Sequence, residues 1–255
     1  MAPAIEIRNL SVEFGDLVAL QDISLSVANQ EFVVLLGPSG CGKSTLLSVL
    51  AGLQPPTSGE VVVKHATKNK HNKHIGYVFQ QAALLPWFSV MQNITVGLKA
   101  IGLNLAEAER IAQRYIDVLN LQGFERAYPH MLSGGMQQRV GLARALAIDP
   151  EILLMDEPFG ALDAQTRALL QEELLRLWER DKKTVVFVTH SIEEAVLLAD
   201  RVIVMTARPG TVKANTEIDI PRPRSRGGGA GGKVIALENE LWSLVRSEAV
   251  KAFRI

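Results

Sequence analysis

The chain has 255 residues, 47% of them hydrophobic, enough to bury a full α/β core as one large domain or two small lobes. Lysine plus arginine and aspartate plus glutamate number 27 each, so no overall basic field advertises nucleic acid or anionic lipid. A single cysteine, Cys41, excludes an internal disulfide and a multi-cysteine metal site, and no apolar run approaches the roughly 18 residues that span a bilayer. The opening residues Met1-Ala2-Pro3-Ala4-Ile5-Glu6 lack the regions of a signal peptide, which leads to the expectation of a soluble, cytoplasmic chain.

In chain order, Ile5, Ile7 and Leu10 alternate with Glu6, Arg8 and Asn9, and Leu25 and Val27 with Ser24 and Ser26. That is the period of half-buried strands, read here as antiparallel. Between them Phe14-Gly15-Asp16 makes a turn; Phe14 reads first as hairpin packing, with stacking on a base as its second use. The run from Phe32 to Leu36 predicts a buried strand, and Leu46 to Ala51 predicts a helix.

What joins that strand to that helix is Gly37-Pro38-Ser39-Gly40-Cys41-Gly42-Lys43-Ser44-Thr45. Glycines at 37, 40 and 42 free the backbone to turn successive N–H groups inward, and the helix start adds positive potential, so a triphosphate fits here. Lys43 would reach the β- and γ-phosphates, and the Ser44 hydroxyl would ligate Mg2+. The plain alternative is a glycine-rich turn that contains a lysine. Alkylation of Cys41 inside this loop would block nucleotide if the thiol is reactive; a small residue that simply fits is the competing reading.

Gln54 to Gly59 breaks the chain and Glu60 to Val63 resumes a strand. His65, His71 and His74 lie in a lysine-rich polar stretch, read as a solvated hairpin tip rather than a metal site because no carboxylate or cysteine joins them. Ile75 to Phe79 is a strand ending at Gln80. From Ala82 to Asp149 the pattern turns helical, with Ile111, Tyr115, Val118 and Leu119 expected on one buried face. Within it Leu132-Ser133-Gly134-Gly135-Met136-Gln137 opens a helix with Ser133 as N-cap, a second place where orphan N–H groups would meet an anion.

Ile152 to Asp156 is a buried strand ending in two acids, Asp156 and Glu157; one suits Mg2+ and its neighbour an attacking water. Asp163 caps a helix from Gln165 to Arg180 whose Leu170, Leu174, Leu177 and Trp178 face the core. Thr184 to Thr189 is another buried strand, and His190 leaves its end where an imidazole can meet a γ-phosphate or its water. Val202 to Met205 is read as the last core strand. Gly227 to Gly232 reads as a flexible linker before a terminal helix from Val234 to Phe253 carrying Leu237, Leu241, Leu244 and Val245.

Taken together, from about Ile5 to Arg224, these segments resemble an ATP-binding cassette (ABC) ATPase, the nucleotide-binding subunit of a transporter. The resemblance implies an α/β P-loop NTPase core with a mixed sheet, an antiparallel β lobe and an inserted α-helical lobe. It places the core in residues 1–84 and 151–222, the helical lobe in 85–150, and a linker and C-terminal helix in 223–255. Gly37 to Thr45 is similar to the Walker A loop, Gln80 to the Q-loop glutamine and Leu132 to Gln137 to the signature motif. Ile152 to Asp156 is similar to Walker B, with Glu157 as catalytic base, Ala161 to Asp163 as D-loop and His190 as switch histidine.

The resemblance therefore implies catalysis by Glu157, His190, Lys43 and Gln80, and Mg2+ held by Ser44, Gln80 and Asp156. ATP would be bound by Phe14, by residues 37–45 and by Asp163, and, from a second copy, by Ser133, Gly134 and Gly135. Met136 stands where the family often has glutamine, and Phe14 where it often has tyrosine or tryptophan. In such cassettes two copies, identical or homologous, pair head to tail, bound to membrane permease subunits at the cytoplasmic face of the membrane and served by an extracytoplasmic solute-binding protein. Ala83-Leu84-Leu85-Pro86-Trp87, Ala207-Arg208-Pro209-Gly210 and Pro221-Arg222-Pro223-Arg224 resemble the importer branch for taurine, aliphatic sulfonates and nitrate. A second reading is a non-transport cassette acting on a nucleic-acid or ribosomal partner, against which the neutral charge and the short span from Gln80 to Leu132 both argue.

Overall fold

The computed structural model describes residues 2–63, 75–160, 162–224 and 230–252. In chain order its elements are β1 (Ile5–Phe14), β2 (Leu17–Val27), β3 (Phe32–Leu36), α1 (Lys43–Leu50), β4 (Ser58–Val63), β5 (Ile75–Val78), α2 (Val90–Ala100), α3 (Leu105–Val118), α4 (Gly134–Ala147), β6 (Ile152–Asp156) and α5 (Ala164–Asp181). There follow β7 (Thr184–Thr189), α6 (Ile192–Leu198), β8 (Arg201–Met205), β9 (Val212–Glu217) and α7 (Gly231–Ala252). The elements fall into two units, one made of Met1–Lys64 with Thr184–Ile255 and the other of His65–Lys183.

In the first unit, β1 lies between β2 and β4 in an antiparallel sheet, with Ile5 opposite Val27 on one side and Val63 on the other. The alternation seen in the sequence is the pleat itself: Ile5, Ile7, Leu10 and Val12 are buried. A second layer holds β7, β3, β8 and β9 side by side. β3 runs parallel to both β7 and β8, and every residue of β3 and β7 is buried, as a strand covered on both faces requires.

β9 corrects the expectation that the core ends at Met205: it pairs antiparallel with β8, Ile203 opposite Asn215. Its sequence, Val212-Lys213-Ala214-Asn215-Thr216-Glu217, is polar because no residue of it is buried, so no apolar run marks it.

Two arginines of the Pro221 to Arg224 stretch close the end of α6. Arg224 is 5% exposed and donates to the carbonyls of Val196 (2.9 Å), Ala199 (2.5 Å) and Ile220 (2.7 Å). Arg222 pairs with Asp200 and donates to the Leu198 carbonyl. These cations satisfy carbonyls that a helix leaves open at its C-terminus, where the dipole favours positive charge.

α7 begins at Gly231, so the last two glycines of the run predicted as linker open the helix instead; residues 225–229 and 253–255 lie outside the described residues. Val234, Leu241 and Val245 form its buried line.

In the second unit, β5 and β6 pair in parallel, Val78 opposite Met155. α2 starts with a capping box in which the Ser89 hydroxyl accepts from the Gln92 N–H and the Gln92 side chain accepts from the Ser89 N–H. Asn93, fully buried, accepts from the Leu85 N–H at 2.8 Å and donates toward the carbonyls of Leu85, Phe88 and Ser89, pinning the loop ahead of the helix.

The buried face of α3 is Ala108, Ala112 and Ile116, followed by Leu119, rather than the predicted Ile111, Tyr115 and Val118, which are half-buried. α3 packs on α2 and α4, and its buried face includes two alanines, whose small side chains let helices approach, while Ile111, Tyr115 and Val118 lie at the margin. On α5, Leu170, Leu174, Leu177 and Trp178 are buried as expected. Among the described residues no helix is long and apolar enough to cross a membrane.

Candidate nucleotide site

In the first unit the loop from Gly37 to Gly42 joins buried β3 to α1. Gly40 and Gly42 have φ of 75° and 97°, which only glycine adopts without strain. At Gly42 a Cβ would also stand 2.6 Å from Leu20 Cδ2 and 2.9 Å from the Ala19 carbonyl, so the loop is packed against β2 as tightly as glycine permits.

Lys43 is 4% exposed, and its Nζ donates to the carbonyls of Gly37 (2.8 Å) and Pro38 (2.9 Å). A cation held by carbonyls of its own loop is a ready exchange partner for phosphate oxygens. Ser39, Gly40 and Ser44 are exposed, and Pro38, Gly42 and Thr45 half-buried, so the rim of the cradle is open.

Cys41 is buried, 1% exposed, and burial pushes its thiol up from the ordinary range. In this form it packs; the conditions for a reactive thiolate are not met.

The parallel register sets Leu36 opposite Thr189. His190 therefore leaves β7 at the same edge where Gly37 leaves β3, and it is exposed there. Its placement is braced by neighbours: the Thr189 hydroxyl donates to the Glu194 carboxylate at 2.5 Å and accepts from the Ser191 N–H at 2.9 Å, while Ser191 caps α6. Phe14 ends β1 opposite Leu17 and is 47% exposed, leaving a ring face for a planar group.

In the second unit, the register Val78 opposite Met155 brings Gln80 and the acids out at one edge. Gln80 Nε2 lies 3.4 Å from Glu157 Oε2. Asp156 is 6% exposed at the tip of β6, and Glu157 follows with φ of 43°. A left-handed backbone at a non-glycine residue costs on the order of 1 kcal/mol and is the kind of strain that positions a functional carboxylate.

Ser133 caps α4, its hydroxyl accepting from the Met136 N–H at 3.3 Å, and Ser133 and Gly134 are exposed. A Cβ on Gly134 would meet nothing within 4 Å, so this helix start is open to an incoming group. Gly135 packs on Leu162, where a Cβ would sit 3.2 Å away. Asp163 caps α5, and the Thr166 N–H it accepts holds its carboxyl below the usual range. Ala161 and the histidines 65, 71 and 74 lie outside the described residues.

The supporting contacts of three residues were not predicted from the sequence. Gln138, 4% exposed, donates to the Phe79 carbonyl at 3.1 Å and so ties α4 to the residue before Gln80. Arg144 donates to the carbonyls of Ala82 and Ala83, both at 2.9 Å, with burial pulling its guanidinium down from the ordinary value. Arg208 reaches the Gly40 carbonyl at 3.3 Å. The first two lie in the run Gln137-Gln138-Arg139 to Arg144 behind the two glycines, a pattern that carries no hint of carbonyl partners.

Ser44 and Asp156 supply hard oxygen donors of the kind Mg2+ takes, each in its own unit. Among the described residues no group of three or more histidine, cysteine or acidic side chains could hold a metal unaided. An ion held by either residue would have to draw its remaining ligands from phosphate oxygens and water.

A family model described as ABC transporter matches residues 20–160. Over 258 aligned residues the chain is 47% identical to an uncharacterized ABC transporter ATP-binding protein of Methanocaldococcus jannaschii, covering 100% of this chain and 96% of that one. It is 49% identical to the taurine import ATP-binding protein TauB of Burkholderia thailandensis (84% and 82% covered) and 44% identical to the aliphatic sulfonates import ATP-binding protein SsuB of Bacillus cereus (86% of each). Among solved structures, a dimeric ATP-binding cassette in a post-hydrolysis state with ADP and phosphate aligns with TM-score 0.76 and 33% identity over 85% of this chain and 100% of that one. The chain belongs to the ABC transporter ATP-binding family. It has that family's P-loop fold and is an ATPase.

Proposed function

We propose that the chain powers an importer of a small anion such as taurine, an aliphatic sulfonate or nitrate. Two copies, or this copy and a homologous one, would pair head to tail. ATP held by residues 37–45 of one copy would be closed over by Ser133, Gly134 and Gly135 of the other, with Asp163 nearby. The reading rests on one observation above the rest: a single chain presents two anion-seeking helix starts, the glycine cradle before α1 and the open Ser133-capped start of α4. One triphosphate in a single copy needs only the first. The solved dimers of similar cassettes, and the similarity to TauB and SsuB, support pairing and import.

In this scheme Lys43 neutralises the phosphates and the loop N–H groups orient them. Ser44, Asp156 and Gln80 would hold Mg2+, which would supply neutralisation of phosphate charge when bound. Glu157 takes the proton of the attacking water, Gln80 orients that carboxylate, and His190 donates to the γ-phosphate. Phe14 stacks on the adenine. Loss of the γ-phosphate removes the contact that favours the closed pair, which is how hydrolysis would reopen it.

Exposed Trp87 and Met131 on the second unit offer apolar contacts to permease subunits at the cytoplasmic membrane face. Purification with the co-associated permease tests the whole reading. Hydrolysis should rise when a binding protein loaded with taurine, a sulfonate or nitrate is added. Failure of every such solute would remove the substrate class, and stimulation by RNA or DNA would replace it with a non-transport role.

A further inference from the structure

The segment between β8 and β9, residues 206–211, lies against the outer side of the glycine cradle within the first unit. It is closed on itself: the Thr206 hydroxyl donates to the Pro209 carbonyl and accepts from the Thr211 N–H, both at 2.9 Å. It is also stitched to β2, because Gly210 donates to the Ala19 carbonyl and accepts from the Gln21 N–H, both at 3.0 Å.

On the cradle side, Arg208 reaches the Gly40 carbonyl, and Gly210 comes so near that a Cβ would fall 2.1 Å from the Cys41 carbonyl. Gly37 meets the Met205 carbonyl just before the strap, where a Cβ would be 3.1 Å away. A phosphate cradle works by pointing N–H groups inward and carbonyls outward. Here two of the outward carbonyls, those of Gly40 and Cys41, have the strap as their support.

The strap is in turn gripped by α7. Glu248, 1% exposed, accepts from the Ala207 N–H at 3.1 Å at the strap's entry. It also accepts from Lys213, just past the exit, at 2.7 Å, and from Lys251 at 2.9 Å. Lys213 donates further to the Leu244 carbonyl (2.9 Å) and to the Ser247 hydroxyl of the same helix. Burial pushes the Glu248 carboxyl up, but these donors outweigh it and hold the group at about 2. One acid on the C-terminal helix thus brackets the strap on both sides.

We infer that α7 sets the shape of the ATP cradle, with Glu248 and Arg208 as positioning residues that act through residues 206–211 on the Gly40–Cys41 edge. This rests on residues 37–45 being the ATP cradle, as proposed above. Neither residue takes part in hydrolysis; what they fix is the loop that receives ATP.

Cys41, the chain's one cysteine, is 1% exposed and lies on the cradle edge that the strap meets, which makes it a built-in reporter. Maleimide labelling without nucleotide should be accelerated about tenfold or more in Glu248→Ala and Arg208→Ala as the edge opens. In the same variants KM for ATP should rise about fivefold with kcat within about twofold of wild type, the pattern of lost loop preorganisation rather than lost chemistry. Glu248→Gln, which keeps an acceptor for the Ala207 N–H, and Arg208→Lys, which keeps a donor for the Gly40 carbonyl, should each recover much of both effects.

Asn93→Ala weakens the second unit and serves as the control for general loosening. Labelling of both alanine variants within about twofold of wild type would overturn the inference, as would equal acceleration in Asn93→Ala. If Glu248→Ala does not fold, Glu248→Gln and the Arg208 pair carry the same comparison. Intact ATP binding in Lys43→Ala would instead sink the cradle assignment, a result separable from the labelling, which needs no ATP.

Discussion

Glu157 stands at the end of β6 with a left-handed backbone and Gln80 within 3.4 Å, so its carboxylate is aimed by main chain and side chain together. In the role of base proposed above, a carboxylate held this way loses its function, and little else, on conversion to the isosteric amide. Glu157→Gln should bind ATP with near-normal affinity yet lose hydrolysis by about a hundredfold or more, leaving an ATP-bound dimer visible by size-exclusion chromatography. Normal turnover in that variant would remove Glu157 from the mechanism. The acid pair itself was legible in the sequence, because an apolar run ending in two carboxylates has few structural uses. Its backbone strain was not legible, since φ at Glu157 depends on how the chain turns into Pro158-Phe159-Gly160 and the Gly160 N–H bonds back to the Glu157 carbonyl.

At the scale of elements, the strands that read most clearly, β3, β6 and β7, are those in which every residue is buried and all but the end positions are apolar. β9 was invisible because an edge strand keeps polar residues, and the buried line of α3 was misplaced because alanine carries little hydropathy signal while permitting the closest packing. Charged residues that cap carbonyls were equally hidden, as a guanidinium in the sequence looks solvated until its partners are known. Arg224 shows the energetic side. Burial, then repulsion from Arg222, pulls it down to about 10, so it stays charged at neutral pH among carbonyls at the end of α6. Arg224→Ala would leave those carbonyls buried and unpaired, destabilising the fold by about 2–3 kcal/mol, measurable as a lower urea midpoint. Asn93→Ala, which strips the loop ahead of α2 of its hydrogen bonds, should lose a similar amount, about 2 kcal/mol. Midpoints within error of wild type would show that water replaces the lost partners at both places.

The whole molecule carries a pH signature through Glu248. Its carboxyl lies at about 2 in the folded chain against an ordinary 4.5, despite burial, because Lys213, Lys251 and the Ala207 N–H favour the anion. A folded value below the unfolded one means the contribution, on the order of 3 kcal/mol, is fully present above pH ~4.5 and is lost as pH falls from there toward about 2. Urea midpoints of wild type and Glu248→Gln should therefore differ at pH 7 and converge on acidification through that window. A gap that stays constant would mean the ion pairs contribute nothing.

In the proposed scheme one molecule completes the nucleotide site of another. Ser39 is exposed on the cradle and Ser133 is exposed at the cap of α4, so each tolerates a cysteine probe. In a Cys41→Ser, Glu157→Gln background, a copy carrying Ser39→Cys would be mixed with a copy carrying Ser133→Cys, and disulfide formation under mild oxidation followed with and without ATP. A cross-linked heterodimer that forms with ATP and not without it is the predicted result. Absence of that cross-link in an ATP-loaded dimer would contradict head-to-tail closure.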